Sequence, residues 1–300
     1  MIRLVVLGSG ASLPTLQRHN TSVAVQRDGD VFLIDCGEGT QLQWRRAGLR
    51  FSKLKAVLIS HLHGDHINGL VGFLQTLSLS DRTAPLDLLG PPGIRDYIRA
   101  ARQHLGLRLT YALNVEERSD GVIFAGNDYR FACATLDHGV ATLGYSLEED
   151  ARPGRFDTEA AASLGVPAGP LFGVLQRGAA VTLADGRVVE PAQVLGPPRP
   201  GKRVTYCVDT RPTEAAVRLA EGADLFLCDS TFGDDLTEEA GRRGHSTASQ
   251  AADMAVRAGA KRLLLIHISA RYHDPRQLVD EAMAVFPQSQ IAEDLMELNV

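Results

Sequence analysis

Three imidazoles and a carboxylate crowd into the short run His61-Leu62-His63-Gly64-Asp65-His66. The run before it, Ala56-Val57-Leu58-Ile59, has the length and β-branched character of a strand. The run after it, Ile67 to Leu74, has the apolar spacing of a buried helix. The ligand-type side chains therefore fall on a strand-to-helix turn. In an extended turn His61 and His63 point the same way, because side chains alternate, while Asp65 and His66 aim at a second point. Such a pattern suits two metal ions a few ångströms apart, held by imidazole and carboxylate, which favours zinc or a similar ion. The plain alternative is a polar turn rich in histidine by accident, which is improbable in a chain with only nine histidines.

The elements around this turn repeat its logic. Leu4 to Leu7 reads as a first strand, followed by Gly8-Ser9-Gly10-Ala11-Ser12, a tight turn near the site that lacks the spacing and lysine of a phosphate loop. A hairpin is predicted around Asp28-Gly29-Asp30, and a helix from Gln41 to Ala47. Strand-like runs then end at His138, Asp209, Asp229 and His267, and His245-Ser246 precedes a helix from Thr247 to Ala258. Strand, polar end and helix alternate, which predicts an α/β protein with its site at strand carboxyl ends.

Composition agrees with an ordinary globular chain: 44% hydrophobic, 22% charged, formal charge −5. No global basic field marks a nucleic-acid binder, so any such contact must be local. The cysteines, Cys36, Cys133, Cys207 and Cys228, have no paired spacing and suggest buried thiols in a reducing compartment. With no signal-like or membrane-spanning run, a cytoplasmic protein is expected. Residues 150 to 200 differ from the rest. A short helix, Thr158 to Leu164, is capped by Asp157 and stopped by Gly165, and a hairpin turns at Ala184 to Arg187. Arg152, Arg155, Arg177, Arg187 and Arg199 suggest local basicity. Few core-forming residues are evident, so the segment reads as an insertion projecting from one domain spanning 1–300.

His-x-His-x-Asp-His after a strand resembles the signature of the metallo-β-lactamase superfamily. That resemblance implies a four-layer αβ/βα sandwich. On its pattern one metal takes His61, His63 and His138, the other takes Asp65, His66 and His267, and Asp209 bridges both. Two divalent ions against two carboxylates leave a positive centre that favours an anionic substrate and suits in-line displacement at phosphorus.

Further blocks are similar to those of the ribonuclease Z family over nearly the full length. They are Gly8-Ser9-Gly10 with Arg18-His19-Asn20; Asp35 to Gln41; His138-Gly139 with Gly144-Tyr145; Asp209-Thr210-Arg211; and Gly244 to Thr247 with His267 to Tyr272. The resemblance implies a zinc-dependent endonuclease that removes the 3′ trailer of precursor tRNA, leaving a 3′-hydroxyl on the tRNA and a 5′-phosphate on the trailer. It implies two Zn²⁺ per subunit, with Mn²⁺ or another divalent ion as an alternative, and a homodimer. Asp65 would accept a proton, His245 would donate one, and Asp229 would orient His245. The segment at about 150–200 resembles that family's tRNA-binding arm, with Arg155, Gly169, Pro170, Arg177 and Arg187 as its candidate contacts. Two departures stand out: Asp229 replaces the family's usual glutamate, which puts the orientation of His245 in question, and Val208 replaces a glycine and could crowd the site. The competing readings are a general phosphodiesterase acting on small diesters, a di-iron reductase of the same fold, and a non-catalytic RNA-binding subunit.

Overall fold

The computed structural model describes residues 1–300, which divide into two compact units: Met1–Glu148 with Arg203–Val300, and Glu149–Lys202. In the larger unit the apolar runs form two seven-stranded mixed sheets. The first runs in the order Glu297–Asn299, Ile2–Gly8, Ser22–Arg27, Asp30–Ile34, Leu54–Leu58, Leu86–Gly90, Leu113–Glu117. The second runs Ser289–Ile291, Leu263–Ile266, Leu225–Asp229, Arg203–Cys207, Ala141–Glu149, Tyr129–Asp137, Gly121–Ala125.

Alternation of side chains across each strand explains why both faces are apolar. Leu4 and Val6, Ala56 and Leu58, Leu225 and Leu227, and Leu264 and Ile266 all point into one core between the sheets. Their neighbours point outwards to helices. Val5, Leu7, Val57 and Leu88 meet Trp44, Phe73, Leu77 and Ile98 from the helices Thr40–Arg46, Leu70–Leu79 and Ile94–His104. Phe226, Cys228, Leu263 and Leu265 meet the helices Ala248–Ala258 and Arg276–Val285. The first of these presents Ala248, Ala251, Ala252, Ala255 and Ala258 at helical spacing, and small side chains let its axis lie close to the sheet. Thr247 and Gln250 form its capping box and Gly259 ends it. Helix, sheet, sheet and helix give the four layers that the superfamily resemblance implies.

The apolar run after the histidine turn is divided differently from its simple periodicity. Helices Gly64–Ile67 and Leu70–Leu79 are separated at Gly69, whose N–H donates to the Cys36 carbonyl at 2.9 Å. A Cβ there would stand 2.2 Å from the Gly37 carbonyl oxygen, so only glycine lets the two segments meet.

Residues Glu149–Lys202 correct the sequence reading twice. They possess a small core of their own, in which Ala161, Val166, Leu175, Val181, Leu183, Val189 and Val194 are buried. These residues come from apolar stretches of at most three positions, and the helices Thr158–Ser163 and Pro170–Gln176 and the short hairpin bring them together, so no long run advertises the core. Nor is the segment basic. Its five arginines between 150 and 200 are matched by Asp150, Asp157, Glu159, Asp185 and Glu190.

Phe32 carries much of the inter-sheet packing: it is fully buried, with ring centroids of Phe131, Phe124 and Tyr129 at 4.7, 5.6 and 5.7 Å. Phe32→Ala should cost about 3–5 kcal/mol through lost transfer energy and the cavity left behind. Urea unfolding of the variant measures this, and a loss below about 1 kcal/mol would mean that the sheets do not depend on that contact.

Candidate metal centre

Six strands in the two sheets end beside one another with polar residues: Asp35, the His61 turn, His138, Asp209, Asp229 and His267. Three of these, Asp35, Asp209 and His267, take left-handed backbone conformations with φ of 58°, 49° and 63°. Aspartate and histidine tolerate this region better than most residues, and the kink turns each side chain out of the strand's alternation.

All seven side chains expected to hold metal converge, and they do so as two donor sets. In the first, His63 Nδ1 lies 3.0 Å from His61 Nε2 and 3.2 Å from His138 Nε2. Asp209 Oδ2 is 3.4 Å from His61 Nε2 and 3.3 Å from His138 Nε2. In the second, His267 Nε2 lies 3.3 Å from both His66 Nε2 and Asp65 Oδ2. Asp209 Oδ1 is 3.0 Å from His267 Nε2 and 3.4 Å from His66 Nε2. A tetrahedral zinc site with bonds of about 2.0–2.1 Å has donors about 3.3 Å apart. Both sets match that spacing, and Asp209 divides its oxygens between them.

Electrostatics point the same way. Asp209 Oδ1 is buried without a hydrogen-bond donor. Leaving such a group unmatched costs on the order of 1–3 kcal/mol, more for a charged one, and a cation at that point would offset it. Burial is the largest influence on His61, His63 and His138 and holds their pKa values below the usual histidine range, so they offer neutral nitrogens, whereas on His66 burial is outweighed by Asp209 and Asp35, which raise its value. Burial also opposes ionisation of Asp65 and Asp209, but their interactions with His267 and His66 outweigh it and keep both carboxylates ionised. The residues therefore fit a pair of divalent ions.

A shell of partners that the sequence did not reveal fixes the rings. Asp35 accepts from His66 Nδ1 at 2.8 Å, Ser60 Oγ at 2.8 Å, Ser60 N at 2.7 Å and the Tyr206 hydroxyl at 2.7 Å. Ser60 Oγ also lies 3.0 Å from His61 Nδ1, and His138 Nδ1 donates to the Gly244 carbonyl at 2.8 Å. Asp65 Oδ2 accepts the Ser12 N–H at 2.7 Å, which places the first glycine-rich turn at the site. Asp35 could have been suspected because it, too, is a carboxylate ending a strand. Ser60 and Tyr206 carried no such signal.

His245 and Asp229 stand beside these donors. His245 Nδ1 is 2.8 Å from Asp229 Oδ2, so the shorter acid still reaches the ring. Burial pushes the His245 pKa down, yet the Asp229 carboxylate outweighs it and raises the value to about 9. Val208 is wholly buried and packs into the inter-sheet core. The five arm residues lie in the separate Glu149–Lys202 unit and are exposed. Gly169, at φ 139°, and Pro170 start the helix Pro170–Gln176, which gives that pair a conformational reason to be there. Arg187 is tied to Asp185, whereas Arg155 and Arg177 have no carboxylate partner.

Two sheets in four layers with this centre at their strand ends define a protein of the metallo-β-lactamase fold. Residues 193–268 match the family described as Beta-lactamase superfamily domain, and residues 2–138 match that described as Anti-Pycsar protein Apyc1. Ribonuclease Z of Salinibacter ruber is 46% identical over 299 residues, covering 98% of this chain and 93% of its own. Ribonuclease Z of Natronomonas pharaonis is 47% identical over 287 residues, covering 95% and 93%. The crystal structure of the short form of human tRNase Z shares the fold, with a TM-score of 0.73 over 99% of both chains at 24% identity. The chain belongs to the ribonuclease Z family.

Asp209→Ala removes one donor from each set. It should lose bound divalent metal, measured by elemental analysis after dialysis, while circular dichroism stays near native. A variant that keeps two ions would refute the shared position of this carboxylate.

Proposed function

We propose that the protein is the endoribonuclease that cuts the 3′ trailer from precursor tRNA, and that the two donor sets hold a pair of zinc ions. The observation that carries this reading is Asp209, one carboxylate shared by two complete donor sets, set beside the His245–Asp229 pair. Relatives named Ribonuclease Z, aligned along 98% of the chain and hence across residues 149–202, support the choice of substrate. The reading places the enzyme in the cytoplasm as a homodimer. No helix is long and apolar enough to cross a membrane, and all four cysteines are free and buried.

Two divalent ions held there supply Lewis-acid activation of water and of the phosphoryl oxygens. The Asp65 carboxylate takes the proton of the attacking water through the oxygen that lies outside the donor set. Its other oxygen is fixed by the Ser12 N–H at 2.7 Å. Water oxygen joins phosphorus as the bond to the 3′ oxygen of the tRNA breaks. His245 delivers a proton to that oxygen from Nε2, with Nδ1 held by Asp229. The products are a tRNA 3′-hydroxyl and a trailer 5′-phosphate.

His245→Ala should retain its metal and lose about 10²- to 10⁴-fold in turnover, the usual contribution of a positioned acid. Loss of metal instead would make His245 a ligand and overturn its role as acid.

Residues 149–202 should hold the tRNA body, with Arg155 and Arg177 on backbone phosphates. Because the unit is charge-balanced, grip depends on these individual cations and not on a net field. The Glu149 N–H donates to the Lys202 carbonyl at 2.9 Å, so the chain enters and leaves the unit side by side. A short glycine-serine loop can therefore replace residues 150–200. Cleavage of a 3′-extended precursor tRNA should collapse and its salt dependence flatten, while turnover of bis(p-nitrophenyl) phosphate survives. Equal survival of both activities would assign the protein to small diesters, and equal loss would make the unit structural.

A further inference from the structure

Asp229 has more partners than the orientation of one histidine requires. Oδ2 accepts from His245 Nδ1 at 2.8 Å and from the Thr210 N–H at 3.0 Å. Oδ1 accepts from the Thr231 N–H at 2.9 Å and the Thr231 hydroxyl at 2.7 Å. That hydroxyl lies 2.8 Å from His267 Nδ1 and 3.3 Å from His245 Nδ1, whose closer partner is Asp229. Asp229, Thr210 and His267 are wholly buried, and Thr231 nearly so.

A hydroxyl has one proton to donate. Thr231 spends it on the ionised Asp229, because a charged acceptor makes the stronger bond. Its oxygen must then accept from His267 Nδ1–H. This fixes the His267 tautomer, with the lone pair on Nε2, the atom that faces Asp65 Oδ2 at 3.3 Å and Asp209 Oδ1 at 3.0 Å. The Thr210 N–H, one residue past Asp209, anchors the left-handed turn that aims the shared carboxylate.

We propose that Asp229 is a positioning residue for the metal centre as well as for His245, with Thr231 as the relay that sets the tautomer of His267. The inference rests on the metal-ligand reading above. It also accounts for a short acid at this position. Drawn close to its own strand, the Asp229 carboxylate meets the two backbone N–H groups of Thr210 and Thr231 and the Thr231 hydroxyl, while His245 still reaches it.

The test is a zinc titration of the full-length protein against a competing chromophoric chelator, with turnover of a small diester measured at saturating zinc. Thr231→Val keeps the shape and removes the hydroxyl. It should weaken one of the two ions about 10- to 100-fold, the usual effect of losing such a partner, and leave the other unchanged. At saturating zinc it should recover most of its turnover, because the Asp229–His245 contact survives. Thr231→Ser should restore both affinities. Asp229→Asn should weaken the same ion and also lose turnover that zinc does not rescue, whereas His245→Ala should bind both ions normally. His267→Ala separates the two ideas. If it loses an ion while Thr231→Val binds both with native affinity, the relay is wrong and the ligand reading stands. If His267→Ala also binds both normally, the ligand reading falls with it.

Discussion

The whole site depends on one buried carboxylate facing four imidazoles. Asp209 presents Oδ2 to His61 and His138, and Oδ1 to His66 and His267, all at 3.0–3.4 Å. Such a charge is tolerable in a protein interior only with its partners held in place. Each partner is in turn fixed by a hydrogen bond at its far side: His61 by Ser60, His66 by Asp35, His138 by the Gly244 carbonyl, His267 by Thr231. The left-handed kinks at Asp35, Asp209 and His267 belong to the same constraint. A regular strand would send these side chains into one of the apolar layers. The kink breaks the alternation at the last residue, where there is no further strand to disturb.

Much of this was legible in the sequence because the chemistry lies at strand ends. An apolar run terminating in histidine or aspartate can be read without knowing the topology, and His61, His138, Asp209, Asp229 and His267 were all found that way. The helix Ala248–Ala258 was legible for a similar reason, since its cap, its alanine stripe and its closing glycine are local signals. What stayed hidden is what only the fold brings together. Tyr206 lies in the second sheet and its hydroxyl reaches Asp35 at the end of a first-sheet strand, 171 positions away in the chain. Neither residue announces the other.

Residues 149–202 show the opposite failure. Five arginines stand out in an acidic chain, yet the five carboxylates among them balance their charge. Its core went unseen because Ala161, Leu175 and Val189 belong to three separate short elements with no shared periodicity. Periodicity reports one element packing against something larger. It has little to say about a small unit that closes on itself.

The two donor sets also bear on stability, because each draws from both sheets. His61, His63, Asp65 and His66 follow a strand of the first sheet, whereas His138, Asp209 and His267 follow strands of the second. An ion in either set would therefore cross-link the two halves of the sandwich at the edge where the inter-sheet core ends. The unfolded chain brings no such donors together apart from the single histidine turn. Binding to the folded form alone stabilises by about 2.7 kcal/mol when the free ion stands at 100 times its dissociation constant. That is comparable with burying one large core side chain. Metal would thus serve the fold through the same carboxylate that serves the chemistry, and a change at Asp209 acts on both together.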